Sequence, residues 1–323
     1  MSGVHTPEEV CRDVVTTIER LHSRTGLSRR LLTQWVGIQP SRYHRWRKVE
    51  YTTTPDAPAK ICSWELLDEE RQAVLAYHTE VIRDGRSVGY RTLTYEMLDN
   101  DVVACGESTV YRILHEAGRL SRRAQDPSKK GAGFEQPQNV HEHWHIDISY
   151  LWEFGHKAYL VTILDGKSRY VLQHQVLNSM TAGDVEMTLQ RAFERFPNAS
   201  PCLISDNGSQ FIGNQFKGFL ADCGFTQRRT SVNYPQANGK IERHFRTTKE
   251  LLRQRSIIDR DDLVQHIDEI VDYYNNHRYH TALGFITPVD AFCGREHIIK
   301  QQRRQKLDDA RFRRKHVHST LFN

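Results

Sequence analysis

HIDISYLWEFGHKAYLVTILDGKSRYVLQHQVL, residues 145–177, decides how this chain folds. Three runs rich in β-branched and aromatic residues, 145–152, 157–165 and 170–177, are separated by the turn signals Glu153-Phe154-Gly155 and Gly166-Lys167-Ser168, which predicts an antiparallel meander. Downstream, the spacing predicts a helix over 182–196, a short buried strand at 202–204, a helix over 215–222 and a last strand at 226–229. Strands first, then alternating helix and strand, implies a mixed five-stranded sheet with helices on its faces, an α/β layer. Two long helices should follow Gly239, over 240–255 and 261–276.

Upstream the pattern turns helical. Residues 12–24 carry apolar side chains at helical spacing, Ser28 suits an N-cap for a helix ending at Trp35, Gly37 breaks the pattern, and Pro40 suits the first turn of a basic helix holding Tyr43, Arg45 and Trp46. Helix, glycine turn, basic helix is a helix-turn-helix pattern, equally compatible with an ordinary helical hairpin. A second helical unit should run from about 65 to the stop signal at Gly118, with Arg112 and His115 on its open face. Residues 121–139, with two Gly, two Pro and four basic side chains, read as a linker. The expected organisation is therefore a helix-turn-helix region at 1–60, a second such region at 61–120, the linker at 121–139, an α/β core at 140–294 and a basic tail at 295–323.

The 323 residues carry 45 Lys and Arg against 40 Asp and Glu, and the net charge of +5 sits at the end of the chain. Residues 295–323 hold 9 basic and 3 acidic groups, either a solvated helix or the footprint of a polyanion partner. A mean hydropathy of −0.64 excludes a polytopic membrane protein, and the opening MSGVHTPEEV lacks the basic-then-apolar pattern of a secretory signal, so a cytoplasmic protein is expected. Six scattered cysteines without a C-x-x-C pair read as reduced thiols.

Three acids stand out. Asp147 lies inside an apolar strand, where a charge is costly unless compensated. Asp206 ends the strand of ISDNGSQF, and Glu242 opens the helix entered through YPQANGKIER. Taken singly, the first two read as a hydrogen-bonded carboxylate and an Asx-turn. Together, a strand acid, a strand-end acid and a helix acid can converge at one sheet edge, and an all-oxygen set suits Mg²⁺ or Mn²⁺. Two alternatives compete. His141, His143 and His145 alternate on the face of Asp147 as a Zn²⁺-binding strand would, and Asp165 is a second strand-end acid that could instead anchor its turn through Ser168 and Arg169.

The D, D-35-E arrangement, DNGSQF and NYPQANGKIER resemble the catalytic core of retroviral integrases and of the DDE transposases of bacterial insertion sequences. Residues 27–123, including RYHRWRK and SVGYRTLTYEML, resemble the segment preceding the core in second-reading-frame transposases, and YYNNHRYHTALGFITPVDAF resembles the stretch that closes it. The resemblance implies a ribonuclease H-like fold and a DNA transposase using two Mg²⁺ or Mn²⁺ ions on Asp147, Asp206 and Glu242. Cleavage at element ends would be followed by transfer of the 3′-OH into target DNA. Lys249 matches a basic position seven residues after the glutamate; Arg246, four after it, shares that helical face, and Lys240, Asn207, Gln210 and Arg45 join them as candidate DNA contacts. A homo-oligomer on DNA in a bacterial nucleoid is expected. No upstream apolar heptad run is visible, so end recognition and multimerisation would need another polypeptide, such as a companion upstream-frame protein, or a fused frame. The competing functions are a nuclease without strand transfer and a non-catalytic DNA-binding regulator.

Overall fold

The computed structural model describes residues 8–48, 65–86, 88–120, 136–152, 157–229 and 238–321. Most of the expected linker, the turn at Glu153-Phe154-Gly155 and most of the loop before Gly239 lie outside the described residues. The chain forms two compact units, residues 1–62 and 63–323.

In the first unit, α1 (Glu8–Thr25), α2 (Arg29–Trp35) and α3 (Pro40–Lys48) close over Ile18, Leu32 and Tyr43. The Ser28 side chain accepts from the Leu31 amide and starts α2, and Gly37 at φ +71° makes the turn into α3. Glu19 ties the three helices together. It takes Arg29 at 2.8 Å, Arg47 at 2.9 Å and the Tyr43 hydroxyl at 2.5 Å. The hydrogen bonds from Arg29 and Tyr43, with the nearby charge of Arg47, hold the Glu19 carboxyl at about 2 instead of 4.5. A depressed folded pKa stabilises above the unfolded value and is lost as pH falls through the folded one. Amide exchange in α1–α3 of the full chain, corrected for intrinsic rates, is therefore expected to quicken about tenfold between pH 5 and pH 2, a modest change for a partly solvated knot. Glu19→Gln should remove that pH dependence; exchange that keeps it would assign the effect to another group.

In the second unit, α4 (Asp68–Arg83), α5 (Tyr90–Asp99) and α6 (Glu107–Glu116) enclose Val74, Leu93, Met97, Val110 and Leu114. The sheet follows, with β1 (His143–Tyr150), β2 (Tyr159–Asp165), β3 (Val171–Leu177), β4 (Cys202–Ser205) and β5 (Thr226–Arg229) in the order β3-β2-β1-β4-β5. β1 and β2 pair antiparallel, as do β2 and β3, while β4 runs parallel to both β1 and β5. This is the mixed five-stranded, ribonuclease H-like arrangement expected from the sequence.

Pleating sorts the side chains of β1 onto two faces. Trp144 and Ile146 meet Val185, Leu189 and Ala192 of α7 (Ala182–Arg195), with Phe211 of α8 (Ser209–Ile212) and Phe216 and Leu220 of α9 (Asn214–Asp222). Across the sheet, Leu160 and Leu164 pack against α10 (Gly239–Leu252) through Ile241, Phe245 and Leu252, and against α11 (Arg260–Asn276) through Leu263, Ile267 and Ile270. His143, His145 and Asp147 alternate with Trp144 and Ile146, so they belong to the α10 face.

α12 (Pro288–Phe292) and α13 (Glu296–Leu321) complete the fold. The basic end of the chain is this 26-residue helix, and it packs on α4 and α5 through arginines. Arg303 pairs with Asp99 at 2.6 Å and Arg314 with Glu70 at 2.7 Å, both guanidinium groups being buried. Much of the tail's charge is thus spent within the fold. The five described cysteines are free thiols, and no described helix is long and apolar enough to cross a membrane.

Candidate active site

β1 and β4 pair in parallel register, His143 with Cys202, Trp144 with Leu203 and His145 with Ile204. Continuing that register by two positions sets Asp147 beside Asp206, which directly follows β4, and neighbouring strands lie only about 4.8 Å apart. Ile241 and Phe245 anchor α10 on the same face of the sheet. Glu242, the neighbour of Ile241 in the first turn of α10, is thereby held at the rim of that face, and its amide bonds the Asn238 carbonyl at 3.0 Å.

The charges of Asp206 and Glu242 both bear on Asp147. Burial, with the added charges of Asp206 and Glu242, lifts the Asp147 carboxyl to about 7 despite a hydrogen bond from the Ile148 amide. Asp206 Oδ1 accepts from the Gly208 amide at 2.8 Å, the expected Asx-turn, which orients the side chain. Gly208 fits closely here. A Cβ at this position would stand 2.4 Å from Gln210 Nε2 and 3.0 Å from Asp206 Oδ1. Gln227, which the sequence did not single out, braces the strand end through Ser205 Oγ and the Phe211 carbonyl, both at 3.1 Å.

The competing acids and histidines have other duties. Asp165 is fully buried and takes the amides of Lys167, Ser168 and His141 together with the Ser168 hydroxyl, so it anchors the β2–β3 turn. His141 Nδ1 faces the indole N–H of Trp144 at 3.1 Å, and the ring packs against Phe196 and Phe292. His145 is fully buried; burial, then the charges of Lys240 and Arg169, hold it well below its ordinary pKa. A strand position beneath two cations is poor ground for Zn²⁺.

The candidate DNA contacts separate. Asn207 is exposed and Gln210 half-buried beside Asp206, while Arg246 is exposed and Lys249 half-buried on α10. The surface pair Glu242–Arg246, the ordinary alternative for that spacing, is not among the described ion pairs. Lys240 turns inward. Its ammonium donates to the Gly166 carbonyl at 2.8 Å, and burial with the neighbouring charge of Arg169 lowers its pKa to about 7. Arg45 is exposed on α3, in the first unit.

The donor set is all carboxylate oxygen, and the Asp147 pKa is raised by burial first and by the charges of Asp206 and Glu242 after it, so the residues fit a hard divalent cation. Among the described residues no three His, Cys, Asp or Glu side chains already form an ion cage.

Two family models, each described as integrase core domain, match residues 137–235 and 223–288. The chain is 30% identical over 149 residues to the provisionally named integrase ORF3 of Spiroplasma virus SpV1-C74, covering 41% of each protein. It is 23% identical over 222 residues to the provisionally named transposase InsK for insertion sequence element IS150 of Escherichia coli, covering 68% of this chain and 75% of that one. To transposase InsD for insertion element IS2 of the same organism it is 28% identical over 198 residues, covering 57% of this chain and 65% of that one. The paired core matches span the sheet and the helix that carry all three acids, and with these transposase relatives they support a DDE-class transposase of the retroviral integrase superfamily.

Proposed function

We propose that the chain cuts DNA at the ends of a mobile element and joins the freed 3′-OH to target DNA, with Asp147, Asp206 and Glu242 as its catalytic carboxylates. The register that sets Asp147 beside Asp206 on the face of α10 carries this reading. Two divalent cations bound there would activate the attacking oxygen and stabilise the leaving oxygen of an in-line displacement. The chain's own residues do the positioning. Asp147 is fixed by the strand and the Ile148 amide, Asp206 by the Gly208 amide, and Glu242 by the first turn of α10. Arg246 and Lys249 follow on the Glu242 side of α10 and suit phosphates near the scissile position, with Asn207 and Gln210 beside Asp206. Arg45 and the other basic residues of α3 suit recognition of the element end. Action as a homo-oligomer on DNA, with a companion upstream-frame protein, belongs to the same proposal.

The test is incubation of the purified chain with Mg²⁺ and a labelled duplex from the DNA flanking its gene. A joined product longer than the substrate is the expected result. Cleavage without joining would make the protein a nuclease, and DNA binding with neither reaction would make it a regulator.

The tight fit at Gly208 gives a sharper expectation. In Gly208→Ala the new methyl group pushes aside the flexible end of Gln210 and crowds Asp206 Oδ1, which must give by a few tenths of an ångström. Cleavage is expected to fall several-fold, about tenfold at most, while the melting temperature drops only a few degrees. Wild-type cleavage by this variant would show that the Gln210 side chain takes up the whole displacement and that its position does not matter to cleavage.

A further inference from the structure

A cleft of about 760 Å³ opens beside α10, bounded by Asp84, Gly85, Arg86 and Val88 after α4, by Tyr273 of α11 and by Arg278 just beyond it. Six arginines line it against two acids, Asp84 and Glu250. Two of the six are committed elsewhere, Arg86 to Glu96 at 2.5 Å and Arg255 to Glu269 at 2.5 Å. Arg243, Arg246 and Arg278 enter no ion pair among the described residues. Arg243 and Arg278 come from different elements yet stand close enough for both their fields to fall on the buried His280 ring. Like charges gathered without matching acids repel, and the arrangement is favourable only when an anion fills it.

The planar guanidinium fork matches phosphate oxygens. At 100° per residue, Arg246 lies between the stripe of α10 that carries Glu242 and Lys249 and the side that carries Arg243, so through Arg246 the cleft adjoins the face of α10 that carries Glu242. From Arg243 to Arg253 the helix rises about 15 Å, room for about four phosphates of one strand.

We propose that this cleft seats consecutive phosphates of the duplex whose scissile phosphate lies at Glu242, so that α10, the end of α11 and the turn after α4 grip one DNA backbone. The inference rests on the DNA reading given above and adds Arg243 and Arg278 as binding residues. It also makes the α4–α6 region part of the DNA seat.

The experiment measures binding of the full chain to two duplexes of about thirty base pairs, one from the DNA flanking the gene and one of random sequence, as a function of salt. Arg243→Gln with Arg278→Gln is expected to weaken binding at least tenfold and to lower the log–log salt slope by about two, with Lys at both positions restoring the slope. Arg311→Gln, on the exposed surface of α13, should leave both unchanged. Asp84→Asn removes an exposed acid from the cleft without touching helix packing, and should tighten binding about threefold. Loss on both duplexes assigns the cleft to any DNA backbone, and loss confined to the flanking duplex assigns it to the element's own end; either supports the seat. Should the paired Gln variant keep the wild-type slope on both duplexes, or Asp84→Asn fail to tighten binding, the cleft is not a DNA seat even if cleavage depends on Glu242. Absence of salt-dependent binding by the wild-type chain overturns this inference and the DNA reading together.

Discussion

Asp147→Asn, Asp206→Asn and Glu242→Gln are each expected to lower metal-dependent cleavage and joining by at least about a thousandfold, because each removes an anionic oxygen from the proposed cation site. Loss of activity alone would not separate this cause from misfolding, but stability will. Burial and the charges of Asp206 and Glu242 raise the Asp147 carboxyl from 3.8 to about 7. The folded state thus holds its proton more tightly than the unfolded chain does. Between about pH 4 and pH 7 the unfolded chain ionises freely while the folded carboxyl resists, so metal-free stability falls as pH rises through that window. Asp147→Asn removes the opposed charge and keeps the shape. The metal-free variant at pH 8 should therefore melt a few degrees higher than wild type while being inactive. An inactive variant that melts lower would place Asp147 in the architecture and not in the chemistry; a variant retaining a tenth of wild-type activity would remove it from the site.

Arg303→Ala is expected to destabilise the second unit by about 3–5 kcal/mol, the range for removing one partner of a buried ion pair. Arg303 binds Asp99 through Nε at 2.8 Å and Nη2 at 2.6 Å, and gives further hydrogen bonds to the carbonyls of Phe285 and Gly284. Its guanidinium carbon also lies 4.6 Å from the centre of the Tyr95 ring. Removing it leaves Asp99 with Tyr279 alone among its side-chain hydrogen-bond donors, in a setting where an unpaired carboxylate is costly. Arg303→Lys should recover only part of the loss, since an ammonium cannot reproduce the forked contact. Denaturant midpoints at constant slope measure this directly. A change below about 1 kcal/mol would mean that α13 is held by other contacts.

The same arginines explain why the end of the chain was poorly legible in the sequence. Arg303, Ala310 and Arg314 are the buried positions of α13, seven and four residues apart. That is a helical seam, but two of its three members are charged, so hydrophobic periodicity registers only a basic stretch. The central strands were easier to read because each buries an apolar face. Their ends were less so: β1 starts at His143 and stops at Tyr150, two residues before the expected limits, because its first residues pair with β4 and its ladder with β2 closes at Tyr150–Tyr159. The short helices α8 and α12 have too few residues to show a period.

At the site, chemistry was legible and orientation was not. Spacing pointed to Asp147, Asp206 and Glu242, but only the pleat of β1 assigns Asp147 to the face of α10. Lys240 reads as a candidate DNA contact at the start of α10, yet its ammonium turns inward to the Gly166 carbonyl. Arg278 and Arg86 lie far from Glu242 in sequence and meet α10 only through the fold.

The central claim is that three carboxylates from two strands and a helix act as one divalent-cation site. Its most direct test is calorimetric titration of Mn²⁺ into the DNA-free chain, wild type beside Asp147→Asn, Asp206→Asn and Glu242→Gln, with Glu250→Gln on the same helix as control. Wild type and Glu250→Gln should bind alike, and each of the three neutral variants should lose at least about tenfold in affinity. Wild-type affinity in any one of the three would show that its carboxylate does not belong to the cation site.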